Sequence, residues 1–114
     1  MHKHKWFAVC LVILSGMATG TAYAKSYVVT QNHKQFYIDG NKAAAIGIKA
    51  GDSIKFLNED KLFHNIFSMS KLMKFNIGTY GTGESETIAF NKVGKIAVEC
   101  GIHPRMMLEV EVRK

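Results

Sequence analysis

Alternation with a period of two is the feature that most limits how this chain folds. Near the C-terminus Leu108, Val110 and Val112 form an apolar set interleaved with Glu109 and Glu111, and upstream Ile96, Val98 and Cys100 alternate with Lys95, Ala97 and Glu99. Successive side chains on a strand point to opposite faces, so each segment presents one face to a core and one to solvent. The same parity turns Cys100 inward at the end of its strand. Extended backwards past Pro104, it places Met106 inside and Met107 outside. No stretch after residue 24 carries the long 3.6-residue apolar period of a packed helix. Short runs bounded by Gly, Asn and Asp recur instead, at residues 27–29, 35–38, 43–48, 53–58, 63–67, 87–90, 95–100 and 107–112. Residues 68–83 are ambiguous: 70–74 fit a helical turn, and Gly78, Gly81 and Gly83 mark a loop. The expectation is an all-β chain, a Greek-key β-sandwich or small barrel of seven or eight strands, with no repeat or linker.

The first 24 residues have a different character. A basic start, His2-Lys3-His4-Lys5, leads into an apolar run at residues 6–14 and then small residues ending Ala22-Tyr23-Ala24. That order is the pattern of a secretory signal peptide, and the run is shorter than the roughly 20 residues a spanning helix needs. The expected organisation is a leader over residues 1–24 and a single domain over 25–114, exported to a periplasm and without stable membrane insertion once the leader is cleaved. Cleavage would shorten the 114-residue chain to 90 and, removing Lys3 and Lys5, lower its formal charge from +6 to +4. Of the two cysteines Cys10 leaves with the leader. Small exported domains commonly use disulfides as staples, and none can form within residues 25–114. A thiol left unpaired in an oxidising compartment is buried, catalytic or metal-bound.

The remaining basic residues are scattered singly, as at Lys34, Lys42, Lys49 and Lys55, with no arginine cluster or interleaved aromatics. That argues against a nucleic-acid partner. A mild positive field instead suits an acidic protein surface or an anionic membrane surface.

Chemistry concentrates in Cys100-Gly101-Ile102-His103-Pro104-Arg105-Met106, which spaces a thiolate, an imidazole and a thioether three residues apart on a short loop, while His64 lies on a separate apolar segment. Two imidazoles, a thiolate and a weak thioether are the ligand set of blue-copper electron-transfer sites. Thiolate and thioether favour Cu(I) and imidazole accepts both oxidation states, so one geometry can serve both. Taken singly, the residues have plainer readings: His64 as a hydrogen-bonded core histidine, Cys100 as a small core hydrophobe, and Met69, Met73, Met106 and Met107 as packing.

The loop resembles the copper loop of the cupredoxins, and its spacing is similar to that of the amicyanin and pseudoazurin branch. Residues 48–58 followed by Phe63-His64-Asn65-Ile66 resemble the approach to the first histidine ligand of plastocyanin-like proteins, and Gly83-Glu84-Ser85, Phe90 and Val93-Gly94-Lys95 the approach to the loop. Together these cover about residues 46–112. The resemblance implies one type 1 copper held by His64, Cys100 and His103, with Met106 as axial thioether and Asn65 supporting the cysteine sulfur through its backbone N–H. It also implies an apolar electron port formed by His103 with Ile102 and Pro104. Where the family often has an aromatic or neutral residue before the cysteine, this chain has Glu99, which parity turns outward. The resulting expectation is a one-electron carrier, not an enzyme, passing electrons between a donor and an acceptor protein with an acidic docking surface. A periplasmic copper carrier or chaperone, recruiting Met69 or Met73, is the alternative. A third reading makes Cys100 a nucleophile activated by His103, but no third orienting residue accompanies the pair. His33, in a polar stretch, reads as a surface residue.

Overall fold

A computed structural model describes residues 23–114, so the leader assigned to residues 1–24, with Cys10, lies outside the described residues but for its last two positions. Ten strands occupy this region: β1 (Ser26–Asn32), β2 (Gln35–Ile38), β3 (Asn41–Lys42), β4 (Ala45–Lys49), β5 (Ser53–Asn58), β6 (His64–Ser68), β7 (Phe75–Tyr80), β8 (Ser85–Ala89), β9 (Gly94–Glu99) and β10 (Met107–Arg113). They form two five-stranded sheets, ordered β3-β2-β1-β5-β8 and β4-β10-β9-β6-β7. The all-β sandwich expectation holds, but the count is ten rather than seven or eight.

Two local effects account for the difference. The extra strand β3 (Asn41–Lys42) lies just before the run at residues 43–48, which is a strand only from Ala45, because the chain leaves one sheet for the other at Ala43 and Ala44. The Ala43 N–H donates to Phe36 O in the first sheet, while Ala44 O accepts from Glu109 N–H in the second. The other effect is β7, which lies within residues 68–83. Gly78 sits at φ +79° inside it, and the pairing with β6 shifts register between Asn65 and Phe67, so the strand lacks clean alternation.

The predicted faces are those observed. Ile96, Val98, Cys100, Met106, Leu108, Val110 and Val112 are buried, and they pack against Val29, Phe36, Ile54 and Phe56 from the facing sheet. Each fully buried side chain of this size contributes about 1.5–3 kcal/mol of transfer free energy. Phe36 and Phe56 meet edge to face, with centroids 6.2 Å apart. Antiparallel pairing of β9 with β10 places Glu99 opposite Met107, and Glu99 is also in register with Phe67 on β6. The end of β9 and the starts of β10 and β6 therefore meet at one end of the sandwich.

Candidate metal centre

His64, the first residue of β6, is fully buried, and Cys100 follows directly after β9. Between Cys100 and β10 the chain forms a tight loop closed by two backbone hydrogen bonds. Met106 N–H donates to His103 O at 2.9 Å, and Cys100 N–H donates to Met106 O at 3.3 Å. This closure returns His103 toward Cys100 and His64. The His64 Nδ1 lies 3.1 Å from His103 Nδ1 and 3.6 Å from Cys100 Sγ, and the Cys100 Sγ to His103 Nδ1 separation is 3.7 Å. Met106 is buried at the foot of the loop and Met107 is 51% exposed.

Asn65 ties the two segments together. Its backbone N–H points at Cys100 Sγ across 3.5 Å, and its side-chain oxygen accepts the Gly101 N–H at 2.7 Å. A Cβ on Gly101 would stand 3.4 Å from the Asn65 amide and 3.5 Å from the Phe67 ring, ordinary contact distances, so the loop packs closely against Asn65 and Phe67 here.

The orientation of His64 comes from a residue that sequence reasoning did not single out. Asp60 Oδ2 lies 3.0 Å from His64 Nε2 and also accepts the Lys34 N–H at 3.0 Å, while Asp60 Oδ1 accepts the Lys61 N–H at 2.8 Å. Burial alone pushes the Asp60 carboxyl up, but the hydrogen bonds from Lys34, His64 and Lys61 outweigh it and carry the pKa down to about 2. An ionised carboxylate can only accept, so Nε2 carries the proton and the Nδ1 lone pair faces Cys100 and His103. Asn58 fixes the turn that delivers Asp60 and His64. Its amide group donates to Leu62 O and Tyr80 O at 2.9 and 3.1 Å, and its side-chain oxygen accepts the Asp60 N–H at 2.8 Å. Neither Asn58 nor Asp60 stands out in sequence; the only available signal is the four-residue spacing from Asp60 to His64.

The three donor atoms lie within 4.8 Å of one another. Bonds of about 2.0 Å to imidazole nitrogen and about 2.3 Å to thiolate sulfur would span separations of this size. Lone pairs converging at 3.1–3.7 Å repel unless a cation or proton lies among them, so both spacing and donor chemistry fit a bound metal ion. His103 is held below the ordinary histidine value, first by burial and then by the charges of His64 and Lys34, with Asp60 opposing them. Tyr80, opposite His64 on β7, donates its hydroxyl to Gln31; burial, then the charges of Cys100 and Glu86, push its phenol upward.

The structure also gathers Ile102, His103 and Pro104 at the surface. Ile102 and Pro104 are exposed and His103 is half-buried. They line a cleft of about 420 Å³ whose other wall is His33, Lys34 and Gln35. His33 is indeed a surface residue, but it stands beside His103 rather than apart from the site. Met69 is 66% exposed, and Met73 packs against the core.

No protein-family model matches the chain. It is 28% identical over 102 residues to the methylamine utilization protein MauL of Methylorubrum extorquens, covering 80% of this chain and 76% of that protein. Amicyanin from Paracoccus versutus (Thiobacillus versutus) superposes with a TM-score of 0.67 at 23% identity, covering 84% of this chain and 87% of that one. A Cu-containing nitrite reductase (NirK) from Thermus scotoductus superposes with a TM-score of 0.69 at 23% identity, covering 86% of this chain but only 26% of the reductase.

Proposed function

We propose that this chain, a cupredoxin in fold, is an exported type 1 copper protein that carries single electrons between larger redox proteins. The observation that carries the reading is the convergence of His64 Nδ1, Cys100 Sγ and His103 Nδ1, with the tautomer of His64 set by Asp60. Met106, the buried methionine of the loop, would add a weak thioether donor. Copper bound there supplies a Cu(I)/Cu(II) couple. The protein holds its donors in one arrangement for both states. Asp60 orients His64, the Asn65 N–H holds the Cys100 sulfur, and the loop closure fixes His103. Electrons leave through His103, and the exposed Ile102 and Pro104 form the apolar surface that meets a partner. The positive balance of the chain steers that partner, which presents an acidic face.

The reading as a carrier rather than an enzyme rests on the donor inventory. Beyond residue 24 the only histidine other than His64 and His103 is His33, too few for the further copper that copper oxidases and reductases use. Residues 1–24 act as the signal peptide and residues 25–114 as the working domain, placing the protein in the periplasm.

A redox titration of the copper-loaded protein tests the proposal. It should take up and release one electron per chain, reversibly, with the metal retained against a competing chelator. Ready loss of metal with no reversible couple would favour copper delivery instead.

A further inference from the structure

Tyr23 is 86% exposed, Ala24 is exposed, and neither belongs to a strand. Directly after them the backbone is held from both sides. Lys25 N–H donates to Asp52 Oδ1 at 2.8 Å, and Lys25 O accepts the Ser53 N–H at 2.9 Å. Ser26 then enters the parallel ladder of β1 with β5, opposite Ser53. Asp52 is only 4% exposed, and its other carboxylate oxygen accepts the N–H of Lys49, the last residue of β4, at 2.9 Å. One carboxylate therefore ties the start of the first sheet to an edge strand of the second. Ala22-Tyr23-Ala24 puts the end of the leader at the Ala24–Lys25 bond. Sequence pattern and hydrogen bonding thus meet at the same nitrogen atom.

The charges around that nitrogen are uneven. Lys25, Lys49, Arg113 and Lys114 line a cleft of about 270 Å³ with Asp52, and no other carboxylate among the described residues lines it. The nearby Glu111 carboxylate lies against the Arg113 guanidinium at 3.3 Å. Asp52 titrates below the ordinary aspartate value, first because of the Lys25 hydrogen bond and then that of Lys49, so it is ionised at neutral pH.

Resting on the signal-peptide assignment, we propose that Asp52 is a built-in binding site for the α-ammonium group created when the leader is removed, so that processing turns a neutral hydrogen bond into an ion pair and strengthens the fold. Hydrolysis of the Ala24–Lys25 amide consumes one water. Its oxygen and one hydrogen go to the carbonyl carbon of Ala24, the other hydrogen goes to the nitrogen, and the carboxyl proton then moves to the amine. The products are a carboxylate on the leader and an –NH3+ group on the domain. The new charge forms on an atom already 2.8 Å from Asp52 Oδ1, so pairing needs no backbone movement. Charge-assisted hydrogen bonds are roughly twice as strong as neutral ones. Solvent exposure at Lys25 and the four surrounding cations oppose the gain and leave a folding equilibrium favoured about fivefold. A chain that keeps its leader cannot make this pair.

The test uses the whole chain, exported by a bacterial host and purified with its copper bound and reduced. Its mass should be that of a chain starting at Lys25. An NMR titration should place the new terminal amine about 0.7 above its ordinary pKa of about 7.7–8.0, and Asp52→Asn should return it there. A companion chain released from a fusion with one alanine retained before Lys25 restores the amide. Its folding equilibrium constant, from urea denaturation at about pH 6.5, should be about fivefold lower, because the two measurements report one free energy. A raised folded pKa stabilises below the unfolded value and ceases to as pH rises through the folded one, so the two chains should become equally stable by about pH 10. With Asp52→Asn in both, they should be equally stable throughout. A terminal amine of ordinary pKa, or equal stability of the two chains at about pH 6.5, would overturn the ion pair. If the protein still began at Lys25, the signal-peptide assignment would stand and only the pairing would fall. A purified chain beginning at another residue would defeat both.

Discussion

Asp52 and Asp60 flank the two ends of β5 and use the same device to different ends. Each is a nearly buried carboxylate that accepts one backbone N–H from a distant segment and one from a near neighbour in sequence. Asp52 takes those of Lys25 and Lys49 at 2.8 and 2.9 Å, and Asp60 takes those of Lys34 and Lys61. Both titrate below the ordinary aspartate value. For Asp52 the Lys25 and then the Lys49 hydrogen bond outweigh a smaller upward push from burial, whereas for Asp60 burial is the largest single influence and the hydrogen bonds overcome it. The difference is one contact. Asp60 also holds His64 Nε2, so at that end a carboxylate that closes a turn also sets the direction of a donor lone pair. A structural staple becomes part of the proposed metal centre by gaining a single hydrogen bond.

That comparison can be broken. Asp60→Ala should lower copper affinity about 10–100-fold, as loss of a carboxylate behind a ligating histidine does, and should lower the thermal midpoint as well. Asp52→Ala should lower the midpoint and leave copper affinity unchanged. Chelator competition beside thermal melts distinguishes them, and equal copper loss in both variants would end the distinction. Asn58→Ala, which strips three hydrogen bonds from the turn carrying Asp60, should cost about 1–3 kcal/mol in urea denaturation. The pH response of Asp52 is a smaller effect. Its folded pKa lies below the ordinary aspartate value of about 3.8, so its stabilisation is complete above that value and is lost as pH falls through the lower folded one. The gap in urea midpoint between the parent and Asp52→Asn should therefore narrow below about pH 4. A gap that widened toward acid would show that Asp52 does not act through its ionised form. The smallest effect belongs to Glu99→Gln. Half-buried in register with Met107 and Phe67 on the outer face, Glu99 should move the reduction potential only slightly, as voltammetry would show.

The contrast between the two aspartates also explains what the sequence revealed. Strands with clean alternation, such as β9 and β10, were legible with their faces, because a period of two reports burial directly. β7 was hidden by Gly78 and a register shift, and the run at 43–48 concealed a change of sheet, since alternation says nothing about which sheet a strand joins. At the site, Cys100, His103 and Met106 announced themselves by spacing, and His64 by its setting among apolar residues. Asp60 and Asn58 did not, because a loop carboxylate or amide looks the same whether it faces water or a histidine. His33 and Lys34, which join β1 to β2 at positive φ, were unreadable as a turn because they lack the glycine that normally marks one.

The absorption spectrum of the Cu(II)-loaded protein, recorded beside Cys100→Ser, tests the central claim most directly. The account predicts an intense thiolate-to-copper band in the visible that disappears on reduction and is absent from Cys100→Ser. A colourless Cu(II) complex, or a band that survives in Cys100→Ser, would contradict it.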